Sequence, residues 1–218
     1  NITASANLEA NGTIKLDGNY PTGTGNVALG DAALSSGSLS GGNNTVIGRS
    51  VGAANTSGAD NTAMGSFSLC ANISGDSNTA IGRSALRANT TASNNTAVGL
   101  SAMQSNTTGT ANVAVGRCAL FTNVTGGTNT AVGYNSLTLN TGCCNTAVGY
   151  VSLTNNSSGA NNSAVGHSAL GANTTGSNNA AFGCGALGAN TTASYNTAVG
   201  YNSLKTTITG AGNTGLGY

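Results

Sequence analysis

The sequence predicts an all-β fold, a parallel β-solenoid (β-roll) of about twelve coils with 17 residues in each coil. Two observations predict it. A glycine that follows an apolar residue recurs at a nearly constant spacing, and an asparagine stands four residues before every such glycine. Helical repeats use longer units, and Asn, Thr, Gly and Ser all disfavour helices. Thr and Val favour strands, whereas Gly and Asn tolerate corners with positive φ, so each repeat is expected to form one coil stacked on the next.

The recurring glycines, here called the marker glycines, define the period. They are spaced 17 residues apart, except for one step of 18 at the start and one of 16 before Gly149. The marker glycines are Gly30, Gly48, Gly65, Gly82, Gly99, Gly116, Gly133, Gly149, Gly166, Gly183, Gly200 and Gly217. An apolar residue precedes each of them, and a second apolar column stands four residues after them, with Gly52 as its one lapse. A disordered chain does not keep two apolar columns in register, so the sequence indicates a folded array.

Two asparagine columns run through the repeats. Identical Asn side chains one strand spacing apart can hydrogen-bond along a stack as a ladder, which predicts a structural role for both columns. The first column precedes the marker glycines and comprises Asn26, Asn44, Asn61, Asn78, Asn95, Asn112, Asn129, Asn145, Asn162, Asn179, Asn196 and Asn213. The second lies in a predicted corner and comprises Asn55, Asn72, Asn89, Asn106, Asn123, Asn140, Asn156, Asn173 and Asn190.

The chain divides into two regions. Residues 1–22 do not fit the repeat. Within them, Thr13-Ile14-Lys15-Leu16 alternates polar and apolar residues and is bounded by turn residues on each side, which predicts one short strand. This segment is either a cap over the first coil or a lead-in from an upstream domain. Residues 23–218 form the repeat region. Because Gly217-Tyr218 is the middle of a repeat, we expect the solenoid to continue beyond residue 218.

Composition excludes several classes of protein. Charged residues make up 5% of the chain and the formal net charge is +1, so no basic surface for nucleic acid is expected. No apolar run approaches the ~18 residues that a membrane helix needs, so we expect no membrane insertion.

Catalytic chemistry is equally unsupported. All five acidic residues lie in the first 76 positions, and the chain has a single histidine, His167. Acid–base catalysis needs titratable groups close together, so we predict that the protein is not an enzyme. The five cysteines show neither a disulfide framework nor metal-ligand spacing, so neither a metal nor another cofactor is expected.

Large and charged residues concentrate at the position directly after each marker glycine. We call this column of residues the ridge. Within it, the candidate ligand-binding residues are Arg49, Arg83, Arg117, Tyr134, Tyr150 and Tyr201. A strip of Tyr and Arg beside Asn and Thr would suit a cell-surface glycan, held by stacking and hydrogen bonds. The alternative interpretation is a solvent-exposed edge without a ligand, in which Tyr is tolerated for its strand propensity.

The core motif resembles that of two kinds of adhesive fibre. Asn94-Asn95-Thr96-Ala97-Val98-Gly99 and Asn161-Asn162-Ser163-Ala164-Val165-Gly166 resemble the head repeats of trimeric autotransporter adhesins. The longer unit with Asn-Thr-Thr-Gly is similar to repeats of bacteriophage tail fibres. The resemblance covers roughly residues 23–218. It implies a homotrimer of left-handed parallel β-rolls in the shaft or head of a fibre, located on a virion or at the cell surface.

The leading hypothesis is therefore a structural and adhesive fibre module that supports attachment to a host or surface. Two alternatives belong to other functional classes of protein. The first is a monomeric ice-binding solenoid, which is suggested by a column of threonines that Val27, Val113 and Ala180 interrupt. The second is a self-assembling extracellular filament, which would also use a stackable rod. The threonines of this column are Thr45, Thr62, Thr79, Thr96, Thr130, Thr146, Thr197 and Thr214.

Overall fold

A computed structural model describes residues 24–218. The segment 1–22, with its expected strand and capping role, lies outside the described residues. The predicted parallel β-solenoid is confirmed: the described chain forms twelve strands of three residues each and no helix. Over residues 24–218 there is accordingly no apolar helix of membrane-spanning length.

The twelve strands form one parallel sheet in which every strand pairs with the next one along the chain. Their bounds are β1 Val27–Leu29, β2 Thr45–Ile47, β3 Thr62–Met64, β4 Thr79–Ile81, β5 Thr96–Val98, β6 Val113–Val115, β7 Thr130–Val132, β8 Thr146–Val148, β9 Ser163–Val165, β10 Ala180–Phe182, β11 Thr197–Val199 and β12 Thr214–Leu216. At ~4.8 Å per step, the stack is roughly 50 Å long.

The strand register survives the shortened repeat before Gly149. Thr130 of β7 still pairs with Thr146 of β8, although only 16 residues separate them. The missing residue is absorbed in the preceding corner. There the Asn140 Nδ2 donates to the Gly142 carbonyl two residues ahead, whereas Asn123 in the coil before bonds three residues ahead to Gly126. The deletion therefore alters one corner and leaves the sheet intact.

The core lies inside each coil and is closed by a single chain. The central residue of each strand points inward, as Ala97 and Ala131 do, and both are fully buried. The apolar column four residues after the marker glycine also lies inside, and Leu86, Leu120 and Leu153 have no exposed surface. Most coils thus bury one large apolar side chain and one or two small ones between their walls.

The other apolar column, directly before the marker glycines, points outward. In a three-residue strand whose central Ala faces the core, both flanking residues must face the opposite side. This outer apolar column runs the length of the sheet beside the threonines. Its members are Leu29, Ile47, Met64, Ile81, Val98, Val115, Val132, Val148, Val165, Phe182, Val199 and Leu216. The two apolar columns of the sequence therefore face different environments.

The coil turns through residues of left-handed backbone conformation. The marker glycines have φ between 110° and 139°, a region that side chains rarely allow. A Cβ atom on Gly99 would lie 2.5 Å from the Gly116 carbonyl oxygen of the next coil, so the stack also demands a residue without a side chain. The buried Leu column itself adopts φ near 50°, as Leu120 does at 51°, which aims these side chains at the coil centre.

Candidate functional site

The ridge is held in register by the backbone. The carbonyl of each ridge residue from Asp31 to Cys184 accepts a hydrogen bond from an N–H group in the next coil. The N–H of Ser50 donates to Asp31 at 2.8 Å and the N–H of Val151 donates to Tyr134 at 2.9 Å. Eleven of the twelve ridge side chains are exposed, with Ser66 the half-buried exception. Successive ridge side chains therefore stand about one strand spacing apart on one edge of the rod, at ~5 Å.

At the N-terminal end of the ridge, a phenylalanine lies between two arginines. The Arg49 guanidinium lies 4.8 Å from the centre of the Phe67 ring, and that of Arg87 lies 5.7 Å from the same ring. Both distances suit a cation–π interaction. Arg49 is one of the residues predicted from the sequence, whereas Phe67 and Arg87 are not. Phe67 stands one position after the ridge residue Ser66, and Arg87 lies in a different column, so neither belongs to the ridge pattern.

The middle of the ridge forms a continuous stack. The Arg117 guanidinium donates a hydrogen bond to the Tyr134 hydroxyl at 2.9 Å and lies 5.4 Å from that ring centre. The Tyr134 and Tyr150 rings are stacked with centres 5.2 Å apart and planes 9° apart. The His167 ring stacks on Tyr150 with the same separation and angle. The structure thus brings three of the six candidate residues together and adds His167 as a fourth member.

Beyond His167 the stack is interrupted by a small residue. The Cys184 sulfur lies 4.0 Å from the His167 Nδ1, and Tyr201 follows one coil later. Tyr201 stacks on Tyr218 with ring centres 5.5 Å apart. Arg83 lies on the same edge, between the Arg49–Phe67 cluster and Arg117, and is exposed. The six candidate residues therefore share one edge but fall into separate groups along it.

The first asparagine column is buried from Asn26 to Asn196 and bonds to the backbone of the next coil. At each of the eleven steps, the side-chain oxygen of one Asn accepts a hydrogen bond from the backbone N–H of the following Asn, at 2.8–3.0 Å. The side-chain Nδ2 of Asn112, for example, donates to the Gly126 carbonyl at 2.9 Å. Each side chain therefore joins its own coil to the next through groups that would otherwise be buried without partners.

The second asparagine column is a side-chain ladder. The Nδ2 of each Asn donates to the Oδ1 of the Asn one coil earlier in all eight steps from Asn55 to Asn190, at 2.7–3.2 Å. Each also donates to a carbonyl of its own corner, as Asn106 does to Gly109 at 2.9 Å. The ladder stops at Asn190, whose buried Oδ1 finds no partner among the described residues because Thr207 occupies the next place.

Two of the three acidic side chains in residues 24–218 accept hydrogen bonds from loops. The Asp76 carboxylate accepts a hydrogen bond from the Ala59 N–H at 2.8 Å, and the Asp60 carboxylate accepts one from the Asn43 amide at 3.1 Å. Between residues 24 and 218, no three His, Cys, Asp or Glu side chains come close enough together to hold a metal ion.

All five cysteines are free thiols. Cys143 and Cys144 are adjacent and exposed in the shortened coil. The hydrogen bond to the Cys144 side chain and the repulsion between the two sulfurs raise the pKa of the Cys143 thiol, so less of it is thiolate at neutral pH. The Cys143 thiol is therefore less nucleophilic at neutral pH than an isolated exposed cysteine.

The ridge can stack on flat apolar surfaces, donate hydrogen bonds and attract anions, and these are the capacities of a binding surface. Comparison with protein-family models, with curated proteins and with solved structures produced no match to this chain.

Proposed function

We propose that this chain is a non-enzymatic module of an adhesive fibre, of the kind found in phage tail fibres and bacterial surface adhesins. The observation that carries the proposal is the uninterrupted stack of twelve in-register strands. At every step of the stack, backbone hydrogen bonds of the sheet and hydrogen bonds of the first asparagine column join one coil to the next. Such a rod resists bending and proteolysis and holds attached binding groups away from the particle. Multiple copies would raise weak contacts to useful avidity.

We propose further that the module is a homotrimer whose copies pack through the outer apolar column. Six members of this column are between 37% and 46% exposed in the single chain: Leu29, Met64, Ile81, Val115, Phe182 and Val199. Single exposed apolar residues are normal, but a stripe that follows a rod for roughly 50 Å is typical of an interaction surface. Because each coil already closes its own core, the copies would pack face to face without sharing a core.

Val132→Glu tests this packing. A charge in the middle of the outer apolar column should separate the copies, because three carboxylates would otherwise be buried together. The particle mass from sedimentation should fall to that of one chain, while circular dichroism stays that of the wild type. Thr125→Glu, at an exposed corner, is the matched control and should leave the mass unchanged. If the masses of Val132→Glu and the wild type are equal, the proposed interface is wrong.

One observation favours ice binding as a second candidate function. The threonine column stands on the outward face of the sheet, with Thr45, Thr62 and Thr79 in direct register beside the outer apolar column. A flat lattice of hydroxyl and methyl groups at strand spacing suits an ordered water layer. Thermal hysteresis above a buffer control would support this function, and hysteresis within the noise of that control would remove it.

A further inference from the structure

A groove of about 610 Å³ lies beside the ridge over the C-terminal coils. Its floor includes Gly171, Gly185 and Gly188. Gly171 and Gly188 occupy the column five residues after the marker glycine, where earlier coils carry side chains as large as Arg87 and Phe121. The groove therefore exists because two consecutive coils lack a side chain at this column. Its volume falls in the range of about 300–1,000 Å³ that is usual for small-molecule sites.

The sides of the groove carry aromatic and amide groups. His167 and Tyr201 line it from the ridge, and the His167 ring is held by its stacking on Tyr150. At the N-terminal end, Asn155 Nδ2 donates to the Gly171 carbonyl at 2.7 Å, which fixes this amide at the rim. Asn202 lines the opposite end. An apolar floor with amides at both ends matches a ligand that has apolar faces and hydroxyl-bearing edges.

The groove has one cationic side chain and no acidic side chain among its lining residues. Lys205 lines its C-terminal end, and no carboxylate side chain occurs in the sequence after Asp76. Asp76 lies roughly 35 Å away along the stack, counted in strand spacings. The Debye length at physiological salt is about 8 Å, so this carboxylate does not neutralise Lys205. The groove therefore favours an anionic ligand over a neutral one.

We propose that this groove binds a short acidic oligosaccharide. Pyranose rings place their C–H faces on the small-residue floor and against Tyr201, while Asn155 and Asn202 bond their hydroxyls. Lys205 pairs with a sugar carboxylate. The inference rests on the adhesive role proposed above, and it assigns the ligand contact to this groove rather than to the ridge as a whole.

The test is calorimetric titration of the full chain with trigalacturonate, an acidic trisaccharide, and with the neutral trisaccharide maltotriose. We expect saturable binding of trigalacturonate that weakens as ionic strength rises, with affinity for maltotriose at least about fivefold lower. Gly188→Gln should abolish binding because it fills the floor with a side chain that Gln104 already carries at the same column. Thr138→Gln introduces the same side chain at this column outside the groove and should leave binding unchanged.

Lys205→Gln should weaken trigalacturonate binding roughly fivefold, and Lys205→Arg should retain it. Circular dichroism of each variant establishes that the solenoid is intact. Absence of saturable binding, equal affinity for the two trisaccharides, or wild-type affinity in Gly188→Gln would each overturn the proposal. A trimeric rod that does not bind trigalacturonate refutes the groove alone. A monomeric rod that binds it refutes the fibre assembly alone.

Discussion

At the scale of single residues, stability depends on buried polar groups that find a partner in the next coil. The two asparagine columns provide one such partner at almost every step. The exception is the Asn190 Oδ1, which is buried and has no hydrogen-bond partner within residues 24–218, because Thr207 stands where the ladder needs an amide. An unpaired buried acceptor costs about 1–3 kcal/mol, so this position is a weak point of the stack.

Thr207→Asn should therefore stabilise the protein. The local backbone already matches: the Thr207 N–H donates to the Leu204 carbonyl at 3.1 Å, as the Asn190 N–H does to Leu187 at 3.0 Å. A new amide would donate to the Asn190 Oδ1 and extend the ladder by one coil. We expect the free energy of unfolding to rise by about 1 kcal/mol. The melting temperature, followed by circular dichroism, should rise by roughly 2–4 °C. Thr206→Asn on the neighbouring exposed position is the control. Equal melting temperatures of the two variants would contradict the ladder's role.

At the scale of the element, a three-residue strand is far too short to be stable by itself. The ten internal strands are stable because each pairs on both sides and because the corners stack in the same register. The marker glycines make this stacking possible. A Cβ on Gly116 would lie 2.4 Å from the Gly133 carbonyl oxygen, and its φ of 135° disfavours any side chain. The glycine column thus permits the close spacing of coils that the hydrogen bonds of the sheet require.

Gly116→Ala should destabilise the stack by about 3 kcal/mol or more, since backbone strain and a clash with the next coil act together. Thermal unfolding by circular dichroism measures the loss. Gly37→Ala is the matched control, because a Cβ there would meet no atom within 4 Å and the backbone is not in the left-handed region. If both alanine variants have the same melting temperature, close approach at the marker glycines does not determine the stability of the stack.

At the scale of the whole molecule, periodicity was sufficient to predict the solenoid. The spacing of Gly and Asn records where the backbone turns, and the backbone turns once per repeat. Periodicity did not reveal that the apolar column directly before the marker glycines faces outward. Ala97 and Val98 are both apolar, and only the strand geometry places Ala97 inside and Val98 outside. Periodicity also missed contacts between columns, such as Arg49 with Phe67, and a groove that arises where glycines follow larger residues in the same column.

The absolute mass of the 218-residue chain in solution shows whether this rod is the trimeric fibre module that we propose. Light scattering behind a sizing column gives this mass independently of molecular shape, which matters for a rod. For a homotrimer we expect three times 20.9 kDa. A folded particle of 20.9 kDa would contradict it and would favour the ice-binding solenoid, because the outer apolar column would then face water. A continuous series of larger masses would also contradict it and would favour the self-assembling filament.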